Sequence, residues 1–112
     1  MKKIEAVIQP FKLDEVKQGL EDAGVGGMTV LEVRGRGSRE EAALLYRGAE
    51  SEAWPTAKLK IEVVVGDREL QEVLAAIRQA AWTGRSGDGM IFVSEVVEAI
   101  RIRNDQRDEA AV

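Results

Sequence analysis

Two groups of residues in this chain have the chemistry to hold a phosphate. Thr83-Gly84-Arg85-Ser86-Gly87-Asp88-Gly89 puts three glycines into six positions between a helical pattern and an extended one. Glycines admit left-handed turns that line up successive N–H groups as an anion nest, and Arg85 adds charge. Rossmann and Walker loops open a helix, whereas this one follows a helix, so a helix stop with a tight turn is the competing reading. The second group is Arg101 and Arg103, two apart in a segment read as extended, with Ile100 and Ile102 on its other side. Two guanidinium forks projecting together suit a polyphosphate, and no carboxylate lies between them. An edge strand defended by charge is the alternative.

Further cations gather near the ends of a long loop, with Arg34 and Arg36 where it leaves and Lys58 where it returns. Glu62 could accept a hydrogen bond from an exocyclic amine or pair across strands with Lys60 or Lys3. Tyr46 and Trp54 are loop aromatics of the kind that anchor partners, or that pack a loop upon itself.

The composition narrows the chemistry. With no Cys and no His among 112 residues, thiolate nucleophiles, sulfur metal sites and His-based triads are excluded. Sixteen basic against twenty acidic residues give a net charge of −4, which argues against a nucleic-acid binder working through its overall field. The start Met1-Lys2-Lys3-Ile4-Glu5 fails the signal-peptide pattern, and no stretch approaches the apolar length of a membrane span. The expectation is a cytoplasmic protein without direct membrane insertion. At this length folding buries roughly two-thirds of the unfolded surface, enough for one core but with little area for a deep pocket. A ligand site between subunits is the natural outcome.

The elements that must position these residues follow from periodicity. Lys3 to Gln9 alternates as a half-buried strand with Ile4, Ala6 and Ile8 on one face, and Pro10 ends it. Leu13, Val16 and Leu20 then recur at helical spacing until Gly24 stops the helix. Met28–Arg34 and Lys58–Val65 read as strands, and Asp67 as the N-cap of a helix carrying Leu70, Val73, Leu74 and Ile77. Met90–Val97 is a fourth strand, continued briefly by Ala99–Arg103.

The order βαββαβ in one domain, residues 1–112, predicts an α+β ferredoxin-like fold, an antiparallel sheet with both helices on one face. The other face is expected to carry Val7, Val30, Val64 and Phe92 with Lys3, Glu5, Lys60 and Glu62. It is too apolar for water and too charged for an ordinary core, so it should pack against copies of itself, with the charges paired across subunits. The loop at 36–57 is far longer than the strands need, and loops of that length usually carry function or lack order. The tail, 104–112, is expected to be flexible and frayed.

Several segments together resemble the PII nitrogen-regulatory signalling proteins. They are Val-Ile-Gln-Pro-Phe-Lys-Leu at 7 to 13, Gly-Met-Thr-Val at 27 to 30, and Leu-Tyr-Arg-Gly-Ala-Glu at 45 to 50. Lys-Ile-Glu-Val-Val-Val at 60 to 65, Thr-Gly-Arg-Ser-Gly-Asp-Gly-Met-Ile-Phe-Val at 83 to 93 and Ala-Ile-Arg-Ile-Arg at 99 to 103 complete the match over almost the whole chain. The resemblance implies a homotrimer that binds ATP or ADP in three clefts between subunits. It also implies a T-loop that docks into a membrane transporter or metabolic enzyme, and a sensor instead of an enzyme. Carried over by position, Gly87, Asp88 and Gly89 hold phosphates from one subunit and Arg101 and Arg103 reach them from the next. Val7, Thr29, Glu62 and Val64 lie near the adenine, and Gly35, Gly37 and Lys58 border the cleft. The docking segment would be Tyr46, Arg47, Gly48, Ala49, Glu50, Ser51 and Trp54, with Arg47 entering the pore exit of an ammonium transporter.

Departures from the family pattern cluster at the same site. Arg39 stands where many members have a Gln that helps coordinate Mg²⁺ and through it 2-oxoglutarate, and a guanidinium cannot ligate a cation. That mode of 2-oxoglutarate binding is therefore not expected, and the part played by Mg²⁺ is left open. Met90 replaces a Lys and Ser38 an Arg that contact nucleotide, which should weaken ATP relative to less charged nucleotides. Ser51 replaces the uridylylated Tyr and Ala49 the phosphorylated Ser of some members. An alternative within the superfamily is a regulator of bicarbonate or metal transport that reads adenylates without 2-oxoglutarate. An RNA-binding module shares the element order but needs an aromatic open face and a basic surface. A phosphatase on this fold lacks a base.

Overall fold

The structure, a computed structural model, describes residues 1–35 and 56–112. Strand β1, Lys2–Ile8, buries Ile4, Ala6 and Ile8 and leaves the alternate residues half-buried, as its period of two requires. A short 3₁₀ turn at Pro10–Lys12 leads into helix α1, Leu13–Asp22, which buries Val16 and Leu20. Gly24 closes it at φ 85°, and the Val25 N–H reaches back to the Leu20 carbonyl at 2.9 Å, so the last turn is satisfied by a left-handed glycine.

Strands β2, Thr29–Gly35, and β3, Thr56–Val65, pair antiparallel, and β3 then pairs with β1. Helix α2, Leu70–Ala81, buries Val73, Ile77 and Ala81, and β4, Gly89–Glu95, completes the sheet against β1 in the order β2-β3-β1-β4. Both helices lie on one face, where Val16, Leu20, Val73 and Ile77 meet Ile4, Ile8, Ile61 and Val63 in one core. This is the ferredoxin-like α+β arrangement that the element order predicts.

Several local expectations are corrected. The loop ends earlier than residue 57, because Thr56 and Ala57 pair with Gly35 and Arg34 inside the ladder, and the Thr56 hydroxyl donates to the Gly35 carbonyl at 3.1 Å. Asp67 does not cap α2; it begins a 3₁₀ turn and its carboxylate sits 3.0 Å from the Met1 amino group and 3.4 Å from Lys2 Nζ. Val30 faces the helices, since it stands opposite Ile61, and the open face of β2 carries Thr29 and Leu31 instead. Ala99–Arg103 does not continue β4 as a strand: it contributes only an isolated bridge at Ile100, and residues 102–104 form a turn in which the Asp105 N–H returns to the Arg101 carbonyl at 2.9 Å. The tail folds back through an isolated bridge between Ile100 and Arg107 and a 3₁₀ turn at Asp108–Ala110.

Two substitutions separate packing from backbone strain. Ile77→Ala, at a fully buried site, should lower the unfolding free energy by ~2–5 kcal/mol in urea melts at fixed protein concentration. Gly24→Ala, with open space around the new methyl but φ 85°, should cost only ~1–2 kcal/mol.

Candidate functional site

The antiparallel register decides which candidate residues meet. Gly89 stands opposite Ile8 at one end of β1, whereas Glu95 stands opposite Lys2 at the other. The glycine loop is therefore at the end where β2 departs and β3 returns, and the segment carrying Arg101 and Arg103 is at the far end. A strand of this length puts roughly 20 Å between them.

At the first end, Lys58 is the anchor. It is only 4% exposed, and its ammonium donates to the Gly87 carbonyl at 3.0 Å. Gln9 Nε2 donates to the same carbonyl at 2.7 Å, so both lone pairs of Gly87 are engaged and the loop is tied to β1 and β3 together. The sequence offered Lys58 as a cleft residue but passed over Gln9; its position directly before Pro10, where the strand must end, was the available signal.

The glycine loop turns as its glycines foreshadow, with φ 85° at Gly84, 99° at Gly87 and 114° at Gly89. Part of the expected nest is filled from within. The Thr83 and Gly84 N–H groups donate to Asp88 Oδ2 at 2.8 and 2.9 Å, and the Thr83 hydroxyl donates to Asp88 Oδ1. Those donors are not offered to a ligand, because the loop curls far enough to bring its own carboxylate onto them. Asp88 thus shapes the loop. Burial pushes its carboxyl up, but the hydrogen bonds from Thr83 and Gly84 and the charge of Lys12 outweigh this and hold it below the ordinary range.

Gly89 is a close approach of two backbones. A β-carbon there would lie 1.7 Å from the Val7 carbonyl oxygen, so no other residue fits without parting β4 from β1. Met90 follows it, 60% exposed and opposite Val7, which places an apolar side chain beside the loop. Gly35 sits at the end of β2, opposite Thr56.

The second end gathers Val64, Gly27 and Arg101 around an open groove of about 900 Å³. Thr29 and Glu62 are opposite one another in the ladder between the two ends. Glu62 Oε2 lies 3.4 Å from Lys3 Nζ and 3.8 Å from Lys60 Nζ, and Lys3 also pairs with Glu5 at 3.2 Å. The open-face charges expected to pair across subunits therefore pair within the chain, because register sets Lys3 beside Val64 and Glu5 beside Glu62. These contacts raise the Lys3 ammonium, Glu5 foremost and Glu62 next, and Lys3 in turn lowers Glu5. Arg101 is held by its own segment, and Arg103 lies two residues on in the turn. Arg101 donates from Nε to Gln106 Oε1 at 3.1 Å and from Nη2 to the Ala111 carbonyl at 2.9 Å, while Arg103 lies exposed in the turn. Gly37, Tyr46, Arg47, Gly48, Ala49, Glu50, Ser51 and Trp54 lie outside the described residues.

The fold and this site define a ferredoxin-like α+β domain with a glycine-rich loop and a long β2–β3 connection at one end of its sheet. The sequence profile of the family described as Nitrogen regulatory protein P-II matches residues 1–106. Relatives named Nitrogen regulatory protein P-II include one from Bradyrhizobium diazoefficiens, 55% identical over 106 residues and 95% of each chain. Another, from Mesorhizobium japonicum, is 53% identical over the full length of both. Nitrogen regulatory protein GlnK of Escherichia coli is 46% identical, also over both whole chains. The chain belongs to the P-II family of nitrogen regulatory signalling proteins. Among the described residues, no helix is long and apolar enough to cross a membrane.

The close contact at Gly89 predicts that Gly89→Ala is far more damaging than Gly24→Ala, with a loss above ~3 kcal/mol or failure to fold, in the same urea melts. Asp88 supplies a pH test. Its folded pKa is below the reference 3.8, so its stabilisation is present above that pH and is lost as pH falls below it. The stability difference between wild type and Asp88→Asn should hold steady above pH 3.8 and shrink in more acidic buffer, followed by circular dichroism.

Proposed function

We propose that the chain is an adenine-nucleotide sensor that works as a homotrimer and controls a transporter or metabolic enzyme through the loop at 36–55. One observation carries this reading: the glycine loop and Arg101 occupy opposite ends of the same sheet, so one chain cannot close both on one ligand. A head-to-tail arrangement of copies brings the glycine loop of one against the arginine end of the next, and such heterologous contacts close into a ring when the rotation permits. The open sheet face is consistent with such contacts, because Val7, Leu31, Met90 and Phe92 surround its charge cluster. Val7, Thr29, Glu62 and Val64 would then line the base side. Gly35, Gly37, Lys58, Gly87, Asp88 and Gly89 would serve the phosphate side, with Arg101 and Arg103 arriving from the neighbour.

The chain's own groups fit an anion in part. The Lys58 ammonium is held against the Gly87 carbonyl at 3.0 Å, which puts positive charge at the glycine loop. Lys58 also supplies the link to regulation, since it lies two residues inside the strand that receives the loop and holds Gly87. A ligand that moves Gly87 would move the foot of the loop. Tyr46, Arg47, Gly48, Ala49, Glu50, Ser51 and Trp54 would be the docking segment in the target.

A second reading, adenylate sensing without 2-oxoglutarate in the control of bicarbonate or metal transport, is favoured by Met90. Its exposed thioether supplies no positive charge where the family pattern has a Lys. With Arg39 in place of a ligating Gln, Mg²⁺-dependent 2-oxoglutarate capture is not expected.

Calorimetric titration with ATP, ADP and AMP should give saturable heats and raise Tm, with sedimentation at three times the chain mass. No heat and no thermal shift with any of them overturns the reading. Adding 2-oxoglutarate to the Mg²⁺–ATP complex should produce no further heat in the wild type. Clear binding that Arg39→Gln leaves unaltered would refute the argument from the missing ligand.

A further inference from the structure

We propose that residues 106–112 form a clasp that occupies Arg101 and withholds it from an anionic ligand until the segment lets go. The inference rests on the nucleotide reading above. Arg101 donates from Nε to Gln106 Oε1 and from Nη2 to the Ala111 carbonyl. Those two nitrogens are the side-on edge of the guanidinium, one of the edges that grips phosphate with two parallel hydrogen bonds. The tail has taken that edge.

The clasp has its own fastening. The Asp108 N–H donates to the Ala99 carbonyl at 2.8 Å, and the Ala99 N–H donates to Asp108 Oδ1 at 3.2 Å. The Arg101 N–H donates to the Gln106 carbonyl at 2.9 Å, and the Ala111 N–H to the Asp108 carbonyl at 2.8 Å. Closed, the segment also lines the groove beside Val64 and Arg101 with Ala111, Val112 and Glu109, whose carboxylate is paired with the Met1 amino group at 3.6 Å.

The same segment is built to open. Asp105 and Asp108 stand at φ 57° and 51°, left-handed conformations that a β-carbon disfavours. Nearly every residue from Arg101 to Val112 is exposed, so little apolar burial reinforces the hydrogen bonds. Segments of this kind occupy the low end of a protein's local stability and open first. A ligand that needs Arg101 must displace the tail, which lowers its apparent affinity by the fraction of open molecules. The tail thereby sets the concentration at which the sensor responds.

The test uses the full chain and ATP. Asp108→Pro fixes φ near −65° and removes the N–H that bonds Ala99, so the clasp cannot close. ATP affinity measured by calorimetry should rise about threefold to tenfold, the value of one or two exposed hydrogen bonds. Gln106→Ala, a surface change that leaves the backbone intact, should give a smaller gain in the same direction and serves if the proline variant does not fold. Adding Arg101→Ala to either should abolish the gain. In the wild type, saturating ATP should speed hydrogen exchange at the Asp108 and Ala111 amides. Equal ATP affinity in wild type and both variants overturns the clasp and leaves the nucleotide reading standing. No ATP binding by any of them overturns both.

Discussion

The Gly87 carbonyl receives a buried ammonium from Lys58 and an amide from Gln9, and the working end of the molecule is organised around that contact. A lysine that is 4% exposed has surrendered nearly all of its hydration, which is tolerable only where other groups replace the water. Gly87 is one such group. The contact gathers the end of β1, the beginning of β3 and the glycine loop onto one oxygen, so that none of the three shifts alone. Asp88 completes the arrangement by satisfying the N–H groups of Thr83 and Gly84, which leaves a loop held from both inside and outside.

This coupling gives physical content to the family's signalling role. A regulator must let an event at one place alter the shape of another. Here the feet of the long β2–β3 connection, Gly35 and Thr56, lie beside the residue that restrains the glycine loop. Strands are stiff and the two feet are joined within the ladder, so a displacement at Gly87 has a short path to them. Gly89 makes the path rigid, because its backbone rests against the Val7 carbonyl with no room for a side chain.

The open sheet face follows a different logic. Lys3, Glu5, Lys60 and Glu62 satisfy one another within the chain, half-buried among apolar neighbours. Exposed ion pairs contribute little to stability, whereas pairs already matched can enter an interface without leaving a lone charge there. A face in which Val7, Met90 and Phe92 flank a neutralised cluster is suited to being covered, and the pairing inside one chain is what makes that affordable.

Much of the architecture is legible in the sequence. Alternation at Ile4, Ala6 and Ile8, helical spacing at Val16 and Leu20 and at Val73 and Ile77, and the left-handed stop at Gly24 all reflect local periodicity and local sterics. Such signals need only a residue and its near neighbours. The glycine loop and Lys58 are legible as candidates for the same reason. The contact made by Gln9, the face taken by Val30 and the fold-back that engages Arg101 are not legible in this way. Each of these depends on a partner far along the chain: Gly87 for Gln9, Ile61 for Val30, Ala111 for Arg101. The chain's own pattern determines what each segment can become, because backbone geometry repeats every few residues. Which segments then share a register, an oxygen atom or a guanidinium edge is settled only by three-dimensional packing, since hydrogen bonds form between groups that folding brings together.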